Sequence, residues 1–178
     1  MKTKGKSGIG IGILAAAALG VATAAWAQAP NDAQIAAIVV AANQVDIDAG
    51  RLAASKATNP DVKAYGQMMV TDHTGVNKQA TDLVTKLGVK PEDNPTAQSL
   101  KSGGADNVKN LESLSGAAFD KAYIDHEITY HQNVLDAVDK TLIPNAQNAE
   151  LKALLVKVRP AFAAHLAKAK QIQASLGK

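Results

Sequence analysis

The feature that most constrains the fold is the stretch Ala117–Lys140, AAFDKAYIDHEITYHQNVLDAVDK. Phe119, Tyr123, Ile124, Tyr130, Val134, Leu135 and Val138 recur at helical spacing, about 100° per residue. The middle of that apolar arc holds Glu127 and His131, one turn apart. A carboxylate and an imidazole buried without partners are costly. The rest of the fold must therefore supply partners for them, or hold a metal ion between them.

Three further helices carry the same signature. The first is predicted over Asp32–Ala57, after the capping residues Asn31 and Asp32. Its stripe of Ile35, Ile38, Val39, Ala42, Val45, Ala49, Leu52 and Ala53 also contains Asp46, while Asp48 points away. Asp46 reads equally as a buried group and as a stripe-edge carboxylate reaching water. The second helix is predicted from Pro60 to about Leu87, entered through an Asn59 cap and stopped by Gly88. His73 interrupts its buried side, and Asp72 falls at the opposite edge. The last helix is predicted from near Asn148 to Gly177, with His165 inside its stripe and Pro160 expected to kink it at the preceding turn. His126, on the opening stretch, lies well away from Glu127 and His131 and is read as exposed or at a side interface.

Between the second and third long helices lies a connection of unusual length, residues 88–116, broken by Pro91, Pro95, Gly103 and Gly104. Thr96–Lys101 and Ala105–Leu114 are predicted as short helical pieces. A connection this long permits a crossover rather than a tight hairpin. No stretch alternates as a strand would. The predicted fold is all-α, a four-helix bundle with a long, partly helical link between its second and third helices.

The first 27 residues are read as a secretory signal peptide. Lys2, Lys4 and Lys6 precede an apolar Ala- and Gly-rich run from Ile9 to Ala25, and Ala25-Trp26-Ala27 offers a cleavage site. The run is too short and too weakly apolar to suggest a lasting membrane span. A mature chain beginning near Gln28, residues 28–178, forms the bundle domain, and the expected location is the periplasm. The chain has 19 basic and 16 acidic residues; the leader's three lysines are its only charges, so 16 of each sign remain. No net positive field argues for nucleic acid or anionic lipid. A protein partner or oligomer leaves no readable surface signal. The chain has no cysteine, which excludes disulfides, thiolate catalysis, zinc–thiolate sites, iron–sulfur clusters and a lipoprotein anchor. Phosphate-binding loops and nucleophile elbows are also missing, so no catalytic residue is assigned and a binding or structural role is favoured over an enzyme.

Each long helix thus places an ionisable group toward the core: Asp46, His73, Glu127 with His131, and His165. Counted from the turns at 1.5 Å per residue, Asp46 and His73 share a level, and His165 lies level with Glu127. The long link prevents the same count from deciding whether both pairs meet. Three imidazoles and one or two carboxylates suit a divalent transition metal: zinc, iron, manganese or copper. The alternatives are a metal-free network of Asp–His and Glu–His pairs that fixes helix register, and a pocket for a partner or small ligand.

At this point the chain resembles a known family. The motifs are Asn43-Gln44-Val45-Asp46-Ile47 with Gly50-Arg51-Leu52-Ala53, Asn59-Pro60-Asp61-Val62-Lys63, and Met68-Met69-Val70-Thr71-Asp72-His73-Thr74. Leu114-Ser115-Gly116 with Phe119-Asp120 and Tyr123, His131, and His165-Leu166 complete the set. These resemble the exported bacterial proteins grouped as domain of unknown function 4142, similar to the ferritin-like superfamily. The resemblance implies a ferritin-like four-helix bundle in the periplasm. That family usually carries Glu where this chain has Asp46. The resemblance does not extend to ferritin chemistry, which uses Glu-x-x-His on two helices. Val70 and Phe162 stand where those glutamates would be. Met68-Met69 before Asp72-His73 is also similar to an element of small copper-associated bundles, with Asp72 replacing its first histidine; Met pairs also serve as core filling.

Overall fold

The protein is described by a computed structural model covering residues 29–176. The leader expected at residues 1–27 and a new terminus near Gln28 lie outside the described residues. Four long helices build the molecule: α1 (Asp32–Lys56), α2 (Pro60–Lys86), α4 (Gly116–Ala137) and α6 (Ala149–Leu176). Helix α3 (Pro95–Glu112) lies in the long link, and the one-turn α5 (Ile143–Asn145) precedes α6. Among the described residues there is no strand.

Local chemistry sets the helix starts. The Asn31 side chain accepts from the Gln34 amide while Gln34 reaches back to the Asn31 amide, a reciprocal capping box. Asn59 accepts from the amides of Asp61 and Val62 with Pro60 at the first helical position. Asn94 followed by Pro95 repeats the device at α3, and Asn148 accepts from Glu150 and Leu151 at α6. These starts are also tied to one another. Asp32 accepts from the amides of Gln147 and Asn148, joining the first turn of α1 to the entry of α6. Buried Asp120 on α4 accepts from the amides of Thr58 and Asn59 and from the Thr58 hydroxyl, pinning the α1–α2 turn to α4.

The link between α2 and α4 differs from expectation. In place of two short pieces, α3 is one helix of 18 residues that runs through Gly103 and Gly104. The reason is packing: a Cβ on Gly104 would stand 2.7 Å from Val45 Cγ2. Gly104 lets α3 close onto the outer side of α1, and this contact outweighs the poor helix propensity of glycine. Helix α1 is consequently covered by α3 as well as by the bundle, and Ala41, beside Val45 and off the bundle-facing stripe, is buried as well.

The third long helix ends differently too. At Val138 the chain widens into a π-helical turn, Val138–Leu142, and continues into α5. Pro144 has no amide hydrogen to give to the preceding turn, and a local π turn absorbs that lost bond. Both Val138 and Leu142 remain buried through it. Helix α6 runs without a break through Pro160. Pro160 and Val156, one turn apart, both face water, so the carbonyl freed by the proline is solvated.

Helices α1 and α2 pack closely at Gly50 and Gly66. A Cβ on Gly66 would lie 2.8 Å from the Gly50 carbonyl oxygen and 2.9 Å from the Ala54 nitrogen. Asp46 comes one turn before Gly50, and His73 two turns after Gly66, beyond Met69. The apolar core is divided there. One cluster gathers Ala49, Tyr65, Met69, Phe119, Tyr123, Ile124 and Ala169. Toward the other end, Ile35, Ile38, Val39, Ala80, Val138 and Leu155 form a second, joined by a third of Val76, Leu135, Val158, Phe162 and Leu166. Every long helix passes from one end to the other through a polar residue.

Candidate metal centre

Those polar residues form the layer between the apolar clusters. Asp46, His73, Glu127, His131 and His165 are all buried, none more than 3 % exposed. The two hairpins meet at one level. The three imidazole rings form a nearly equilateral triangle, with centroids 5.7 Å apart for His73–His131, 5.2 Å for His73–His165 and 5.4 Å for His131–His165. One nitrogen from each lies within 4.8 Å of those of the other two, and Asp46, Glu127 and His131 form a second such triad. All five residues singled out in the sequence are therefore neighbours.

Each imidazole is anchored at one nitrogen. His73 Nδ1 lies 2.7 Å from Asn43 Oδ1, and the Asn43 amide nitrogen donates to the Val39 carbonyl at 2.9 Å. This fixes the amide so that its oxygen accepts from His73 Nδ1–H. His131 Nδ1–H donates to the Glu127 carbonyl one turn earlier, at 3.0 Å. His165 Nε2–H donates to Asp72 Oδ2 at 2.9 Å. An acceptor at one nitrogen assigns the proton to it and leaves the other as a lone pair. The remaining nitrogens, His73 Nε2, His131 Nε2 and His165 Nδ1, are buried and have no hydrogen-bond partner.

The carboxylates occupy a different side. Asp46 Oδ2 lies 3.4 Å from His73 Nδ1, and Glu127 Oε2 lies 3.4 Å from His131 Nδ1. Both stand against the anchored nitrogens rather than the free ones. Asp46 and Glu127 also stand against each other, and the Tyr123 hydroxyl approaches Glu127. Phe162 stacks flat on His73 at 5.4 Å, and Tyr130 meets His131 edge-on at 6.2 Å. A cavity of about 30 Å³ touches Asn43, Asp46 and His73 and is otherwise apolar, with Val39, Val138, Leu155 and Phe162 among its walls.

Burial sets the charge state of this layer. It holds His73 far below the ordinary imidazole range, with His131 and His165 adding repulsion. It pulls His131 down to about 4, again reinforced by His165 and opposed by the Glu127 carbonyl. It pushes Glu127 up to about 8. Asp46 rises well above the usual carboxylate range, through burial first and then the neighbouring Glu127. Without a cation, neutral His73 and His131 and a protonated Glu127 are the forms this interior favours at pH 7.

Two participants were not singled out as site residues in the sequence. Asn43 lies on the α1 stripe one turn before Asp46, so its spacing carried a signal. Asp72 faces outward from α2, and only the approach of α6 shows that its carboxylate meets His165. His126 is half-buried on the flank, stacked on Tyr130 at 5.6 Å, outside both triads.

The fold and this layer define a class: an all-α helical bundle with a buried His/carboxylate centre that could hold a metal ion. The chain belongs to the family described as Domain of unknown function (DUF4142), whose sequence profile matches residues 17–172. No curated protein and no solved structure matches the chain. Among the described residues no helix is long and apolar enough to cross a membrane.

Proposed function

We propose that this chain is an exported, non-catalytic metal-binding bundle. It holds one divalent transition-metal ion on His73, His131 and His165. The observation that carries the reading is the set of three buried imidazole nitrogens without hydrogen-bond partners, on rings whose other nitrogens are anchored. A metal-free network accounts for the Asp46–His73 and Glu127–His131 pairs but supplies no donor to those three nitrogens. Here the free nitrogens are acceptors with no donor among them, each costing about 1–3 kcal/mol if left so. A cation supplies the missing partner for all three.

Nitrogen donors of this kind suit zinc, copper and iron, and manganese if Asp46 or Glu127 joins them. Asn43, the Glu127 carbonyl and Asp72 fix the rings. Asp46 and Glu127, whose protons burial retains, can ionise to offset the charge of a bound cation. Export to the periplasm is supported by the basic start, apolar run and Ala25-Trp26-Ala27 of the leader. The even balance of charge beyond the leader gives no support to nucleic-acid binding. A role in metal or oxidative-stress handling is consistent with a buried ion.

The test is the metal content of protein recovered from the periplasm, measured by mass spectrometry for the native chain and for His131→Ala. One ion per chain in the first and a large loss in the second is expected. Substoichiometric metal in both would end this reading in favour of a polar core that sets helix register.

A further inference from the structure

The five core residues are sealed, yet one hydrogen bond leads outward from them. His165 donates to Asp72, and the Asp72 side chain is 45 % exposed. The other side-chain anchor, Asn43, is 2 % exposed. Among the described residues, Asp72 is the one side chain that both hydrogen-bonds a core histidine and reaches water. The imidazole of His165 spans the wall. Its Nε2 faces the exposed carboxylate, and its Nδ1 is buried without a partner.

We propose that Asp72 is the port through which a divalent cation reaches the three imidazoles. This rests on the metal-binding reading above. A hydrated cation cannot cross the apolar clusters without giving up its water for nothing. At Asp72 it meets a carboxylate that attracts it and replaces part of its hydration. Beside that carboxylate stands a ring with a second nitrogen on the inner side. Opening the Asp72–His165 hydrogen bond and turning that one ring moves a ligand nitrogen between the outer carboxylate and the centre. Entry and exit then share one small motion, and the bundle need not separate.

Stopped-flow uptake of Co²⁺ by the metal-free full-length protein tests this, read from the visible absorption of the bound ion. Asp72→Asn removes the charge and keeps an oxygen to accept from His165. Asp82→Asn, an exposed carboxylate on the same helix, is the control. Asp72→Asn should slow association by about tenfold and flatten its dependence on salt, while Asp82→Asn should leave both as they are. Unchanged association in Asp72→Asn, equal slowing in Asp82→Asn, or an effect confined to dissociation would overturn the port. A native protein that takes up no Co²⁺ would overturn the metal reading itself, a different result from native uptake with unaltered Asp72→Asn kinetics.

Discussion

Glu127→Gln in metal-free protein isolates the cost of the buried carboxyl. Glu127 is fully buried, beside the Asp46 carboxyl and the Tyr123 hydroxyl. Burial raises it from 4.5 to about 8. The folded state therefore holds this proton more tightly than the unfolded chain does. Its contribution to stability is fully present below pH 4.5 and is lost as pH rises through about 8. At about 1.36 kcal/mol per pH unit the span amounts to about 4–5 kcal/mol. Asp46 titrates with it, so the figure belongs to the pair, and removing one member should abolish about 2–4 kcal/mol of the pH dependence. His131 acts in the opposite sense. With its folded value near 4 against an ordinary 6.5, its contribution is present above pH 6.5 and lost as pH falls through 4. That dependence is common to both proteins and cancels in their difference. Urea unfolding between pH 5 and 8.5, with chelator present, should show native stability minus Glu127→Gln stability falling by about 2–4 kcal/mol as pH rises. Parallel curves, agreeing within about 0.5 kcal/mol at every pH, would refute the buried-proton argument.

Four other substitutions probe separate parts of the structure. Asn43→Ala removes the acceptor that orients His73 and should weaken Co²⁺ binding about 10- to 100-fold, measured by competition with a chromophoric chelator. Asp120→Ala strands the Thr58 and Asn59 amides and should cost about 2–4 kcal/mol in urea unfolding, with hydrogen exchange rising first at the α1–α2 turn. Gly66→Ala places a Cβ against the backbone of α1 and should destabilise by about 1–3 kcal/mol. By contrast, Gly75→Ala, which meets nothing within 4 Å, should stabilise by about 0.5–1 kcal/mol; thermal melts of the two alanine variants compare them.

How much of this was legible in the sequence depended on whether the information was periodic. Asp46, His73, Glu127, His131 and His165 each sit on an apolar stripe, and a stripe fixes which side of a helix faces inward. Residue counts from the two short turns placed them in pairs. The meeting of the pairs was beyond counting, because the long link carries no register; it is set by the Asp120 contact with the α1–α2 turn and by the Tyr65 hydroxyl donating to the His165 carbonyl. Glycines misled at α3, where Gly103-Gly104 reads as a break and instead admits Val45. The π turn at Val138–Leu142 changes residues per turn locally, which a fixed 3.6 period cannot represent. Asp72 was unreadable as a partner because it falls at the edge of its helix's stripe, where a carboxylate can simply face water, and meets a residue 93 positions later.

The central claim is that three imidazoles share one cation. X-ray absorption at the metal edge of zinc- or cobalt-loaded protein counts the donors directly. The account predicts three imidazole nitrogens at about 2.0–2.1 Å for zinc, reduced to two in His165→Ala. A shell of oxygen donors alone, or one that His165→Ala leaves unchanged, would contradict it.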